Sequence, residues 1–272
     1  MLTSYHNHSN WSDGTASIRE MAMAAKAAGV TEFGISDHLV LPPSEAVAVE
    51  SRSWSMIPER FGEYVQAACE VKSELETPDF QFRIGVEADY FPETVCTLKD
   101  MLAGQPRLDY VIGACHYSED FAIDHAAEDW MPLDAAARHF IWEDYLRKML
   151  GLCQAGCFDF IAHLDLPKKF GEFLPEDLKP LMEKLLRAVA RTGLPMEVNT
   201  AGLDKPCHEF YPAENLLHRA IELGIPLLVN ADAHATSQVT RHFASARETL
   251  RRLGVKEVCE FTARHLRLIE LV

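Results

Sequence analysis

The sequence has no run of apolar residues long enough to cross a bilayer, and it does not open on a basic segment followed by an apolar one. A cytoplasmic protein without membrane partners is therefore expected. Its seven cysteines include no Cys-x-x-Cys pair. Their odd number and scattered spacing disfavour a disulfide framework or a thiolate zinc site, and they read as small buried hydrophobes in a reducing compartment. No Gly-x-Gly-x-x-Gly follows the first strand, which disfavours a dinucleotide fold. No Gly-x-Ser-x-Gly is present, so nothing marks a serine nucleophile. Basic residues are scarce: 26 Lys and Arg stand against 41 Asp and Glu, a formal net charge of −15. General affinity for nucleic acid or anionic membrane is not expected from that balance. Several of the carboxylates could instead be neutralised by bound cations. Internal repeats, low-complexity tracts and linkers are also missing, so residues 1–272 are read as one domain.

What the chain does have is regular alternation. Short apolar runs at 1–4, 31–36, 80–86, 109–115, 158–162, 195–198 and 226–229 read as strands. Between them lie helical patterns at 17–28, 58–76, 93–102, 134–154, 175–193 and 213–223, and others follow at 237–253 and from 263. Ser17 and Glu20 have the spacing of a capping box, and Gly29 is placed to stop that helix. Strands alternating with helices imply parallel pairing. Continuous rather than alternating apolar strands imply that both faces are covered. The expected fold class is α/β, a distorted seven-stranded (β/α) barrel, with an open doubly wound sheet as the alternative. Segment 39–56 is expected to be a long loop and a possible lid.

Residues of metal-ligand type close almost every strand. His6 and His8 sit at alternate positions after the first, so on an extended backbone both rings point the same way. His38, Glu87, His116 and His163 follow the second to fifth strands, and Asp232 and His234 follow the seventh. In a parallel barrel all these ends lie on one rim. So many imidazoles crowded together without a shared partner would be costly, which makes bound metal the economical reading. Imidazole and carboxylate donors suit Zn, Mn or Fe, and eight or more of them imply two or three divalent ions.

The elements His6-x-His8, Asp37-His38, Gly85-Val-Glu87, His116, His163 and Asp232-x-His234 resemble the ordered motifs of the polymerase and histidinol phosphatase (PHP) superfamily. The likeness spans nearly the whole chain. His163-Leu-Asp-Leu, Asn199-Thr-Ala-Gly-Leu-x-Lys205-Pro and Glu209-x-Tyr211-Pro are most similar to its histidinol-phosphatase branch. The resemblance implies a distorted barrel with a trinuclear site. His6, His8, Glu87 and Asp232 would hold one ion. Glu87 would bridge to a second, completed by His116 and His163, and Asp13, His38 and His234 would hold the third. It further implies hydrolysis of a small-molecule phosphate ester, histidinol phosphate above others, by hydroxide held between metals.

The leaving group needs a proton or a metal, and Asp165 and His208 are the candidates by position. Lys168, Lys169 and Lys205 are candidates to hold the phosphate. The branch favours arginine near these places, whereas here Asp204 stands where one is expected. The acidic segment 117–132, with Trp130, could receive a cationic amine or could be a solvated loop. Alternatives to this reading are a PHP phosphoesterase for another small ester, an amidohydrolase-type metalloenzyme, a nucleic-acid-processing PHP module and a catalytically silent accessory domain. No strand end carries the lysine an amidohydrolase often uses. Oligomeric state is not specified by any feature of the sequence.

Overall fold

In the computed structural model, which describes residues 2–271, seven strands pair in chain order and all in parallel. They are β1 (Thr3–Ser4), β2 (Glu32–Ile35), β3 (Gln81–Asp89), β4 (Tyr110–Ala114), β5 (Phe160–Ile161), β6 (Met196–Asn199) and β7 (Leu227–Asn230). Met1, the start of the first expected strand, lies outside the described residues. The gap between β7 and β1 is bridged just past the strand ends. His8 N donates to Ala233 O at 2.8 Å, Ala233 N donates to His6 O at 3.2 Å, and Asn7 pairs with Ala233 in parallel fashion. The sheet is thus a nearly closed barrel, and the open-sheet alternative is set aside. The bridge shortens the exposed edge on the ring to the stretch between β7 and β1.

Helices cover the outside, and each is explained by its own sequence. Helix Ile18–Ala27 buries Ile18, Met21, Ala22 and Ala25, one stripe at helical spacing. Ser17 and Glu20 cap it reciprocally, and Gly29 follows at φ +83°. Pro58 opens a 3-10 turn that runs into helix Phe61–Leu75. The barrel interior is aromatic. Tyr5, Tyr110, Phe160 and Phe261 pack together with Ile112, Leu228 and Cys259. Tyr110 lies against Gly34 and Gly85, where an added Cβ would stand 2.2 Å from its side chain, so both positions require glycine.

Three segments differ from the sequence reading. The long loop at 39–56 contains a two-residue strand, His38–Leu39, and helix Glu45–Ser51, capped by Ser44. Glu87 lies within β3 rather than beyond it. The expected last helix is instead strand β9 (His265–Glu270), antiparallel to β8 (Glu257–Thr262). Ala263 and Arg264 turn this hairpin at φ +48° and +65°. That pair of backbone angles suits Asn-Gly far better than Ala-Arg. Tertiary contacts hold it in place: Ala263 N donates to Asp109 Oδ1 at 3.0 Å, Arg264 N to Asp109 O at 2.8 Å, and the guanidinium to Cys157 O at 2.7 Å while pairing with Asp159.

The hairpin seals the barrel at the strand starts, the end away from the ligand-type residues. Phe261, 1% exposed, meets Tyr5 edge-on at 5.9 Å, and its N–H donates to the Tyr5 hydroxyl at 3.2 Å. We predict that Phe261→Ala lowers unfolding free energy by about 3–5 kcal/mol, the usual cost of emptying a packed aromatic site. Denaturant titration measures this, and a loss below about 1 kcal/mol would show that the hairpin is not part of the core.

Candidate metal centre and active site

At the other end the strand ends converge. Parallel pairing sets His38 beside Glu87, and the barrel closure sets His6 and His8 beside Ala233. Glu87 occupies the centre, with a side chain that is completely buried. Its Oε2 lies 3.1 Å from His6 Nε2, 2.8 Å from His38 Nδ1 and 3.6 Å from His8 Nε2. Its Oε1 lies 3.0 Å from His163 Nε2 and 3.7 Å from His116 Nε2. Asp232 Oδ1 is 3.2 Å from His8 Nε2 and 3.5 Å from His6 Nε2. Asp13 reaches across to His234 Nε2 at 3.2 Å and His38 Nε2 at 3.7 Å. The His8 ring packs against both His38 and His234, at 4.2 and 4.3 Å between centroids. All nine residues named as ligand candidates therefore share one rim.

Three groups bring their donor atoms within 4.8 Å of one another: His8, Asp13, His38 and His234; His6, His8 and Asp232; and His38, Glu87 and His116. They differ in detail from the sets expected, since His8 and His38 each join two groups and His163 joins none, its Nε2 lying against Glu87. The donors fit metal ions on physical grounds. His6 Nε2, both His8 nitrogens, His38 Nδ1, His163 Nδ1 and Glu87 Oε2 are buried without a hydrogen bond. Orphaned buried nitrogens facing buried carboxylates are costly unless a cation completes them.

A second ring of acids aims these donors; Asp37 belongs to a motif noted above, whereas Glu197 and Asp89 were not picked out by the sequence analysis. Glu197 Oε2 lies 2.9 Å from His6 Nδ1, and its Oε1 accepts from His163 N at 2.8 Å and from Asn199 Nδ2 at 2.9 Å. Asp89 accepts from His116 N at 2.9 Å and contacts His116 Nδ1 at 2.9 Å. Such contacts fix the tautomer and turn the other nitrogen inward. Asp37 accepts from the backbone and hydroxyls of Ser9 and Ser12 and so holds the loop carrying Asp13. The only signal for Glu197 was its position two residues before Asn199. Asp232 itself has φ +50°, a conformation that aspartate tolerates better than most residues, and Arg241 Nη2 holds its carbonyl at 2.8 Å.

Charge follows this geometry. Burial opposes a proton on His6, but Glu197, Glu87 and Asp232 outweigh it and hold its pKa well above the usual value. Burial is likewise outweighed at His116, where Asp89 and Glu87 bring the pKa to about 10. His8 goes the other way: burial and the neighbouring His38 and His234 lower it to about 3. Glu87, despite burial, is held well below the usual carboxylate range by His6, His38 and His116.

Beside the rim lies a cavity of about 370 Å³ whose lining includes Asp13, His38, His116, His163, Asp232 and His234. Lys169 and Lys205 line it, as expected. Lys169 donates to Asp124 through Oδ2 at 3.0 Å and through the main-chain carbonyl at 2.7 Å. The half-buried ammonium of Lys205 has no partner among the described residues, and burial lowers its pKa. Three other candidates are not brought to the cavity. Lys168 is buried behind it, paired with Asp165 and Glu209 at 2.9 Å each and donating to Phe210 O at 2.7 Å. Asp165 is buried too, accepting from Ala213 N at 3.0 Å, so both act as structural supports for the loop after β5. His208 is exposed, with Nδ1 facing only Leu203 O at 3.4 Å. The acidic segment is not simply solvated, since the half-buried Asp124 lines the cavity and pairs with Lys169. Arg241 is a cation that the sequence analysis missed. It lines the cavity, holds Ala231 O at 2.7 Å, and contacts Asp204 at 3.4 Å.

The sequence profile of the PHP domain matches residues 4–201. The "Probable histidinol-phosphatase" of Deinococcus radiodurans is 34% identical over 256 residues, covering 93% of each chain. The "Histidinol-phosphatase" of Bacillus subtilis is 24% identical, covering 82% of this chain and 88% of its own. Among solved structures, the histidinol phosphate phosphatase of Lactococcus lactis, complexed with Zn, L-histidinol and phosphate, superposes with a TM-score of 0.81 at 21% identity over 98% of each chain.

Because the surrounding carboxylates raise the proton affinity of His6 and His116, metal uptake competes with protons on these rings. We predict release of one to two protons (on the order of one per raised imidazole) when Zn is added at pH 7, and weaker binding as the pH falls. Calorimetry in buffers of different ionisation enthalpy reads the proton count. Uptake with no proton release would contradict the assignment.

Proposed function

Because the chain belongs to the PHP domain family, we propose that it is a metal-dependent phosphomonoester hydrolase that converts histidinol phosphate and water to histidinol and phosphate. One observation carries the reading: nine ligand-type residues, several with orphaned buried donor atoms, face one another beside a cavity walled by lysine and arginine. Its cofactors are divalent metal ions, of the Zn, Mn or Fe type. In this reading His6, His8, Glu87 and Asp232 hold one ion, Glu87 with His116 and His163 a second, and Asp13, His38 and His234 a third. When bound, such ions activate water near neutral pH and offset phosphoryl charge.

The chain's own groups do the rest. Glu197 and Asp89 keep His6 and His116 turned toward Glu87. Lys205, unpaired and half desolvated, is free to take a phosphoryl oxygen, and Lys169 stands near enough to depress its pKa further. Arg241 supplies the planar guanidinium that Asp204 cannot, and Asp204 steadies it from outside. No helix among the described residues is long and apolar enough to cross a membrane. A cytoplasmic setting is part of the proposal, and the seven free cysteines support it.

The test is phosphate release by metal-loaded protein. Histidinol phosphate is expected to be hydrolysed with a higher kcat/KM than p-nitrophenyl phosphate. A chelator should abolish both activities, and Zn or Mn should restore them. His116→Ala is expected to cost roughly 100-fold or more in kcat while leaving the circular dichroism spectrum unchanged. Full activity in that variant, or cleavage of an amide or lactone instead of the phosphate ester, would overturn the reading.

A further inference from the structure

Glu50 is an anion on the cavity wall that has no cation. It projects from helix Glu45–Ser51, in the loop that follows β2. Its Oε2 accepts from the Tyr117 hydroxyl and from the Trp54 indole N–H, the latter at 3.0 Å. Both donors are neutral. Among the described residues no lysine or arginine pairs with this carboxylate, and no hydrogen bond reaches Oε1. The cavity imidazole outside the rim, His125, is already held by Asp129 at 2.7 Å. The two donors are themselves fixed. Tyr117 is buried, and the Trp54 ring stacks on it at 6.0 Å while meeting His38 and His116 edge-on at 4.8 and 5.4 Å. The carboxylate is thus held still beside the metal-ligand rim, with one oxygen left over.

Position on the ring gives this charge a meaning. Lys205 follows β6 and Arg241 follows β7. Around the barrel, β2 and β6 are separated by two strands on one side and three on the other, so their loops face each other across the mouth. Lys205 and Glu50 therefore stand on facing sides of the cavity mouth, both lining the cavity with the ligand rim. A phosphomonoester whose alcohol part is neutral would satisfy the Lys205 side and leave Glu50 desolvated and unpaired, a cost that disfavours it. A phosphomonoester with an ammonium on its alcohol part satisfies both.

We propose that Glu50 is the specificity-determining residue of this site, its Oε1 receiving the ammonium group of an amino-alcohol phosphate while the phosphoryl group lies toward Lys205 and Arg241. The inference rests on the phosphomonoesterase reading above.

The experiment compares metal-loaded wild type, E50Q and E50D on histidinol phosphate and on p-nitrophenyl phosphate, which carries no ammonium. Wild type is expected to prefer the former. In E50Q the ratio of the two kcat/KM values should fall about 10- to 100-fold, the usual effect of losing one charge-assisted hydrogen bond, and mainly through KM for histidinol phosphate. E50D should recover part of the ratio. Product inhibition gives a second readout: in E50Q, inhibition by L-histidinol should weaken far more than inhibition by inorganic phosphate. If wild type shows the preference and E50Q keeps it within about twofold, the subsite is overturned while the phosphatase reading stands. Equal weakening of both inhibitors would mark general damage and also overturn it. A wild type without any preference would overturn the substrate reading and the subsite together.

Discussion

A single buried carboxylate organises this molecule. Glu87 sits inside the barrel mouth with no solvent contact, and five imidazoles approach it within 3.7 Å. An isolated carboxylate there would be strongly disfavoured, so its charge must be answered by protons or cations on the surrounding rings. Those rings follow β1, β2, β4 and β5, strands that pair in chain order and whose ends face one another because the sheet curls into a barrel. The barrel and the charge cluster therefore support each other. Closure delivers the imidazoles, and their bonds to Glu197, Asp89 and Glu87 tie the loops that extend the strands.

The two ends of the barrel use different physics. At the strand starts the interior is filled by Tyr5, Tyr110, Phe160 and Phe261, a tight aromatic packing that tolerates no side chain at Gly34 or Gly85. At the strand ends polar atoms crowd together and several lack partners. Packing there is not optimised for an empty protein. Stability is concentrated at one end, so the other can keep its donors poised for ligands, as active sites on barrels commonly do.

Most of the frame was legible in the sequence because its signals are local. Ser17 with Glu20, Gly29 and Pro58 mark helix ends through their own backbone chemistry, and they lie where that chemistry requires. Strand ends were legible because ligand-type residues follow apolar runs at regular intervals. What stayed hidden depended on distant partners. Ala263-Arg264 reads as helix, and only Asp109, Asp159 and Cys157 O make it a turn. Lys168 and Lys169 are neighbours with opposite fates, one buried against Asp165 and Glu209 and the other on the cavity wall, which no periodicity could separate. Glu197 and Arg241 carried no motif of their own. Asp204 pointed to a missing cation in the sequence, and the structure supplies Arg241 from a loop 37 residues further on.

The hairpin that seals the barrel floor ties the first strand of the ring to a segment far along the chain. Tyr5 and Phe261 are 256 residues apart. As the chain leaves the ribosome, β1 can find β2 early, yet its inner side stays uncovered until residues 257–262 emerge. A contact of such long range makes loop closure slow, and the barrel is complete only once those residues are available. Until then the aromatic lining of the barrel stays uncovered.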